Sequence, residues 1–158
     1  MAAQESGNGA KIAADGEFTL RVGDWQTLGG PASAVRLAVF VQEQRIPAEM
    51  ELDARDAGCT HVVAFDRTGQ PVGTGRLLPD AHIGRMAVMP ALRGRGVGAA
   101  MLHALMNVAA RQGMREVRLH AQASAVGFYA RAGYAPEGSA YEEAGIPHQT
   151  MVRKLADA

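Results

Sequence analysis

Apolar and polar residues alternate along Glu17 to Val22, where Phe18, Leu20 and Val22 share one side. That two-residue period predicts a strand. From Pro31 the period changes. Val35, Ala38, Val39 and Gln42 recur at helical spacing, with Leu37 and Val41 beside them, so a helix is expected over Pro31 to Gln42, with proline in its favoured first turn. The stretch after it, "RIPAEMELDARDAG", is polar and acidic and reads as a loop. Thr60 to Asp66 and Pro71 to Leu78 read as two strands joined by the turn "RTGQP", a hairpin. Ile83 to Met89 follows after "PDAH", completing an antiparallel meander.

Helical spacing returns from Gly96 to Gln112, where Gly98, Met101, Leu102, Leu105, Met106 and Ala109 form one stripe, and Gly113 stands at the favoured closing position. Arg115 to Ala121 alternates again. "SAVGFYARAG" predicts a short helix capped by Ser124 and closed by Gly133. "YAPEG" and "HQTMVRKL" read as two last strands around a long loop from Ser139 to Pro147. The order β-α-β-β-β-α-β-α-β-β implies an α/β (α+β) fold: a mixed, mostly antiparallel central sheet of six or seven strands flanked by helices.

A chain of 158 residues, nearly half of them apolar, suits one domain with its own core. We place that domain at 17–158, behind a small, polar, glycine-containing tail over 1–16 that is expected to be disordered and lacks the apolar stretch of a signal peptide. Zero formal net charge argues against nucleic-acid binding through bulk charge. No apolar run is long enough to span a membrane, and the single cysteine, Cys59, precludes an internal disulfide and fits a reducing, cytoplasmic setting. Cys59 reads either as a small packing residue or as a reactive thiol.

The stretch "RGRGVG", Arg93 to Gly98, stands between a strand and a helix. Glycine is entropically costly to order, and a helix N-terminus offers unpaired amides and partial positive charge. Glycines there let an anion approach those amides while Arg93 and Arg95 add ionic contacts, the physical description of a pyrophosphate cradle. A plain tight turn with solvated arginines is the alternative. A nucleoside-triphosphate loop would need Gly-Lys-Ser/Thr, whereas Gly98 precedes Ala99 and Ala100. Gly94, Gly96 and Ala99 formally satisfy a dinucleotide fingerprint, but Glu116 begins the next strand where the fingerprint's acid should end it, and no second βαβ half follows.

"IGRMAVMPALRGRGVGAAML" resembles motif A of the GNAT superfamily, the Gcn5-related N-acetyltransferases, with Arg93, Gly96 and Gly98 in its signature positions. "SAVGFYARAGYAPEG" resembles that family's second hallmark, and "FVQEQRIPAEMELDARD", "VGTGRL" and "YEEAGIPHQTM" resemble its ElaA/YjcF-like branch. The resemblance runs from Phe18 to Leu155. It implies acetyl transfer from acetyl-CoA to a primary amine of a small molecule or peptide by direct attack. It further implies diphosphate contacts at Arg93, Gly94, Arg95, Gly96, Val97 and Gly98. Pantetheine would pair along Met86 and Val88 at a sheet bulge, and an amide near Ala87 or Val88 would face the thioester oxygen. Gln122 or Ser124 would replace the family asparagine, with Phe128 and Arg131 at the same donor site. Tyr129 matches the tyrosine that protonates the departing thiolate.

An amine acceptor must lose a proton before attack. Glu43, Glu49, His120 and His148 are candidate bases; Glu43 and His120 are the two we single out as catalytic. Glu43, Glu49, Glu51, Asp53 and Asp56 form an acidic band that would attract cations, or simply a solvated loop. Arg76 could meet an acceptor carboxylate or phosphate, and Tyr141, Glu142 and His148 could wall the pocket. No metal is called for, and a monomer or homodimer is expected. A non-catalytic acyl-CoA sensor on the same fold is the alternative function.

Overall fold

In the computed structural model, residues 18–47 and 54–155 are described; the expected tail over 1–16 lies outside them. The elements are β1 (Phe18–Gly23), α1 (Trp25–Arg36), β2 (Thr60–Asp66), β3 (Pro71–Leu77), β4 (His82–Val88), α2 (Val97–Arg111), β5 (Glu116–Gln122), α3 (Val126–Arg131), β6 (Ala135–Pro136), β7 (Tyr141–Glu143) and β8 (Ile146–Lys154). One eight-stranded sheet runs β1-β2-β3-β4-β5-β8-β6, with β7 paired to β8. All neighbours are antiparallel except β4 and β5. None of the described helices is long and apolar enough to cross a membrane.

Alternation along β2 sends side chains to both faces of the sheet. Val62 and Ala64 join Phe18, Leu20, Met101 and Leu105 under α2, while Val63 packs with Leu28 and Ala32 of α1. The sheet is thus covered on both sides. Burial on both faces explains why β3 is buried from Val72 to Leu77 without alternation.

The first helix begins at Trp25, not Pro31 as its apolar spacing suggested. Asp24 caps it, its side chain accepting from the Thr27 amide at 2.9 Å. Pro31 and two glycines sit inside the helix. A Cβ on Gly29 would lie 2.9 Å from the Trp25 ring, so glycine is what lets that ring fold onto its own helix. The helix then widens into a π-helical stretch, Leu37–Glu43, closed by Gln44 N–H to Val39 O and Ile46 N–H to Phe40 O.

Two further expectations are corrected. The long loop after β6 contains a hairpin, because Tyr141, Glu142 and Glu143 pair with His148, Pro147 and Ile146 around Ala144 and Gly145, both at positive φ. Ser124 does not cap α3: Ala125 holds that position without a side-chain bond, and Ser124 lies in a 3-10 turn, Ala123–Ala125.

Candidate active site

The site begins with an irregularity in β4. Thr74 pairs with Ala87 and Arg76 with Gly84, so the single residue Gly75 faces both Arg85 and Met86. This is a β-bulge, and Arg85 takes the left-handed φ of 51° that a side chain rarely adopts. β4 and β5 pair in parallel only at His82–Arg118 and Ile83–Leu119. Past the bulge the two strands part, and β5 stays in the sheet through β8. The Met89 amide donates to Val72 O. By alternation, Val88 turns its N–H and C=O away from β3, toward the gap, and the Ala87 amide faces β3.

A cavity of about 430 Å³ fills the opening, walled by Arg76, His82, Met86, His120, Gln122, Tyr129 and His148 among others. Tyr129 is 8% exposed. Burial pushes its phenol up to about 12, so it keeps its proton through the neutral range. His120, at the exposed side of β5, shares a hydrogen bond between Nδ1 and Thr150 Oγ1 at 3.1 Å. Burial first, then the His82 charge, hold it below the usual histidine range. Its ring stacks on His82 at 5.3 Å and meets Tyr141 edge-on at 6.1 Å, and Tyr141 stacks on His148 at 5.8 Å. His148 Nδ1 lies 2.7 Å from Ile146 O, which fixes Nδ1 as the protonated nitrogen.

The glycine loop lies at the other end of the gap. α2 starts behind Gly96, whose φ of 87° only glycine adopts without strain. No side chain caps this helix, so its first-turn amides face outward. Nothing lies within 4 Å of where a Cβ on Gly94 or Gly96 would stand. Phe128 packs edge-on against Tyr129 at 5.0 Å and approaches Gly98, tying the glycine loop to the tyrosine helix. Phe128, expected at the donor site, therefore couples the two hallmark segments.

Glu43 and Arg93, assigned separate roles from the sequence, bind each other. Arg93 donates Nη1 and Nη2 to the two Glu43 oxygens at 2.8 and 2.6 Å, and its Nε to Val88 O at 2.8 Å. The hydrogen bonds from Arg93 hold the Glu43 carboxyl below the usual range, and Glu43 does not line the cavity. Gln44, its neighbour, exchanges two hydrogen bonds with Gln122 at 2.9 and 3.3 Å. Arg76 lines the cavity, but its Nη1 lies 2.8 Å from Asp56 Oδ1. Arg36 holds both Asp56 oxygens, at 3.0 and 2.9 Å. Asp56 is 3% exposed, which removes it from the acidic band; Glu49, Glu51 and Asp53 lie outside the described residues. Glu142, Ser124, Arg95 and Arg131 are exposed and outside the cavity wall, and the Arg131 guanidinium folds toward Gly127. Sequence reasoning missed Asp80, His82 and Gln44. For the first two the available signal was the polar "PDAH" between strands.

Among the described residues no group of three or more His, Cys, Asp or Glu is placed to hold a metal ion. The profile of the family described as "Acetyltransferase (GNAT) domain" matches residues 29–155. YjcF of Bacillus subtilis (strain 168), named as an N-acetyltransferase, is 38% identical over 123 residues, 75% of this chain and 87% of YjcF. An acyl-CoA N-acyltransferase from Pseudomonas aeruginosa superposes with a TM-score of 0.76 at 30% identity, covering 86% of this chain and 99% of that one. The crystal structure of Escherichia coli ElaA gives 0.77 at 28% identity, covering 86% and 99%. With its parted strands, glycine-opened helix and matched profile, the chain belongs to the GNAT family of N-acetyltransferases.

Proposed function

We propose that this acyltransferase moves an acetyl group from acetyl-CoA to the primary amine of a small molecule or peptide by direct attack. The observation that carries the reading is the convergence of three features on one gap: the uncapped N-terminus of α2, the edge of β4 that β5 leaves beyond the bulge, and the buried residue Tyr129 lining the cavity beside it. The donor fits what is there. The space beside Gly94 and Gly96 is open where a side chain would stand, and outward amides at a helix start are suited to a diphosphate. The outward edge at Met86 offers backbone groups to an amide-bearing arm, as an added strand would take them, while the Val88 carbonyl already accepts from Arg93 Nε.

Acetyl-CoA supplies a thioester, an acyl group already activated toward amines. The Val88 amide, turned into the gap, donates to the acyl oxygen as negative charge develops there; a donor of this kind contributes roughly 3–4 kcal/mol. Alternation assigns this part to Val88 and leaves Ala87 as packing under α1, with Val35, Val39 and Phe40. Tyr129, protonated throughout the neutral range, donates its proton to the sulfur as the C–S bond breaks, and the second proton lost by the amine nitrogen as the amide forms restores it. An ammonium with an ordinary value of about 10.4 must give up a proton before attack. His120, neutral because its own value is lowered, accepts it at Nε2 while Thr150 holds Nδ1. Glu43, gripped at both oxygens by Arg93, is the weaker candidate for that part.

A thiol-release assay with acetyl-CoA against polyamines, amino acids, aminoglycosides and peptides tests the reading. Free thiol should appear in equal amount with an N-acetylated amine, and Gly96→Glu should abolish both turnover and coenzyme A binding. A chain that binds no coenzyme A, or whose Gly96→Glu variant binds it as the parent does, would overturn the proposal.

A further inference from the structure

Among the described residues, the cavity wall carries two carboxylates, Asp80 and Glu143, and three guanidiniums. Asp80 is already engaged: its Oδ2 accepts from Arg55 Nη2 at 3.2 Å and its Oδ1 lies 3.1 Å from His82 Nδ1. The charge of Arg55 is thus spent on Asp80 and that of Arg76 on Asp56, and Arg85 is not free either. Glu143 differs. Its carboxylate makes no ion pair and no hydrogen bond with the described residues, yet it lines the cavity. The hairpin sets its place. Glu143 pairs with Ile146 across a two-residue turn in which Ala144 and Gly145 take positive φ, 55° and 77°, the twist that joins antiparallel strands tightly. Alternation along β7 puts Tyr141 and Glu143 on one face and Glu142 on the other, so Glu143 reaches the wall and Glu142 does not. Tyr141 anchors that face, its ring stacked on His148 at 5.8 Å and edge-on to His120 at 6.1 Å. Glu143 therefore stands on the same frame as His120, close enough for its charge to act there.

We propose that Glu143 holds a second cationic group of the acceptor, so that the acceptor is a diamine: one amine is acetylated while the other stays at the β7–β8 hairpin as an ammonium. The proposal rests on the reading of this cavity as the acceptor site. A polar group brought to a cavity of about 430 Å³ without a protein partner is open to a ligand. An ammonium meets a carboxylate through charge-assisted hydrogen bonds, the stronger kind. The arginines of the wall do not favour an anionic acceptor, because Arg55 and Arg76 are already neutralised by Asp80 and Asp56. Glu143 is itself exposed, so its hold on a cation is moderate and is screened by salt. A monoamine brings nothing to Glu143. An amine with a carboxylate at its far end would be repelled there, and discrimination of this kind needs no change at the reacting end.

Titration calorimetry on the full chain at low salt, with coenzyme A present, compares three amines of equal chain length: diaminobutane, butylamine and aminobutyrate. The parent should bind the diamine about fivefold more tightly than the monoamine, and the amino acid more weakly than either. Glu143→Gln should remove the diamine's advantage and leave butylamine within about twofold of the parent, and added salt should shrink the same advantage. With acetyl-CoA in place of coenzyme A, thiol release should follow the same order, the difference lying in KM and not in kcat. Diamine and monoamine binding alike in the parent, or neither binding, overturns the proposal. So does a loss in Glu143→Gln that is equal for both, which would mean that Glu143 acts through His120 and not on the acceptor's far end. Failure of the underlying reading has a different signature: no amine would release thiol, while the calorimetric preference for the diamine and its loss in Glu143→Gln persist.

Discussion

Arg76 of β3 and Tyr129 of α3 line the same cavity, and they differ in what already holds them. The Arg76 guanidinium is fastened to Asp56, a carboxylate that Arg36 grips at both oxygens. The Tyr129 hydroxyl has no hydrogen-bond partner among the described residues, although the residue is buried. Polarity that is already satisfied by protein is architecture. Polarity brought into a cavity and left open is available to a substrate. The sharpest way to test that division is Asp56→Asn. Removing one partner of a buried ionic cluster costs about 3–5 kcal/mol, because the guanidiniums stay buried without their counter-charge. For a chain of this size that lowers Tm by roughly 10 °C in a calorimetric scan. Acid should do the same to the parent. Burial pushes Asp56 up, but the bonds from Arg36 and Arg76 outweigh it and hold the carboxyl below its usual value. The stability it contributes is therefore present above the unfolded carboxylate's value and is lost as pH falls through the lower, folded one. Asp56→Asn should flatten that part of the stability profile.

Tyr129→Phe addresses the other side of the comparison. Nothing in the described protein bonds to the hydroxyl, so the fold loses no partner and Tm should move by no more than about 2 °C, the shift of a sub-kcal change. Turnover should fall more than about tenfold, equivalent to about 1.4 kcal/mol in the barrier, while coenzyme A still binds. A variant that turns over normally would remove Tyr129 from the chemistry and leave the sensor alternative standing. A variant that unfolds would show that the hydroxyl is architecture after all.

The same contrast governs what could be read in the residues beforehand. The meander, α2 and its glycine-opened start were visible because their signals are local: alternation of two, a stripe at helical spacing, alternating glycines just before that stripe. The start of α1 was hidden because Gly29, Gly30 and Pro31 read as breakers, although Asp24 caps the helix and glycine at 29 leaves room for the Trp25 ring. At the site, Tyr129, His120 and Gln122 were legible as residue types in a recognisable order. Their partners were not. The bonds from Arg93 to Glu43, from Arg36 and Arg76 to Asp56 and from Gln44 to Gln122 join residues 20 to 78 positions apart, and no spacing rule reaches that far. Charge was therefore countable from the sequence, whereas whether each charge was already neutralised was not. Arg76 read as an acceptor contact and Asp56 as part of an acidic rim for that reason.

Glu43 gives the smallest expected effect and the finest test of the contrast, because its change repeats the chemistry of Asp56→Asn at the surface. Glu43 and Arg93 are 40% and 44% exposed in their side chains, and a pair so open to water contributes about 0–1 kcal/mol even when it is bidentate. Glu43→Gln should shift Tm by about 2 °C or less, and the small difference from the parent should shrink further as salt screens the pair. The consequence for the donor runs the other way. Glu43 competes with any phosphate for the Arg93 guanidinium, so neutralising it should tighten coenzyme A binding by about twofold to fivefold at low salt, up to the value of one such pair. Isothermal titration at low and high salt measures both parts, and the two affinities should converge as salt rises. Destabilisation as large as that of Asp56→Asn would mean that the strap from Leu37 to Gln44 is held by this pair as firmly as the interior is held by Asp56. In that case depth would no longer separate the charges that build the fold from those that answer to a ligand.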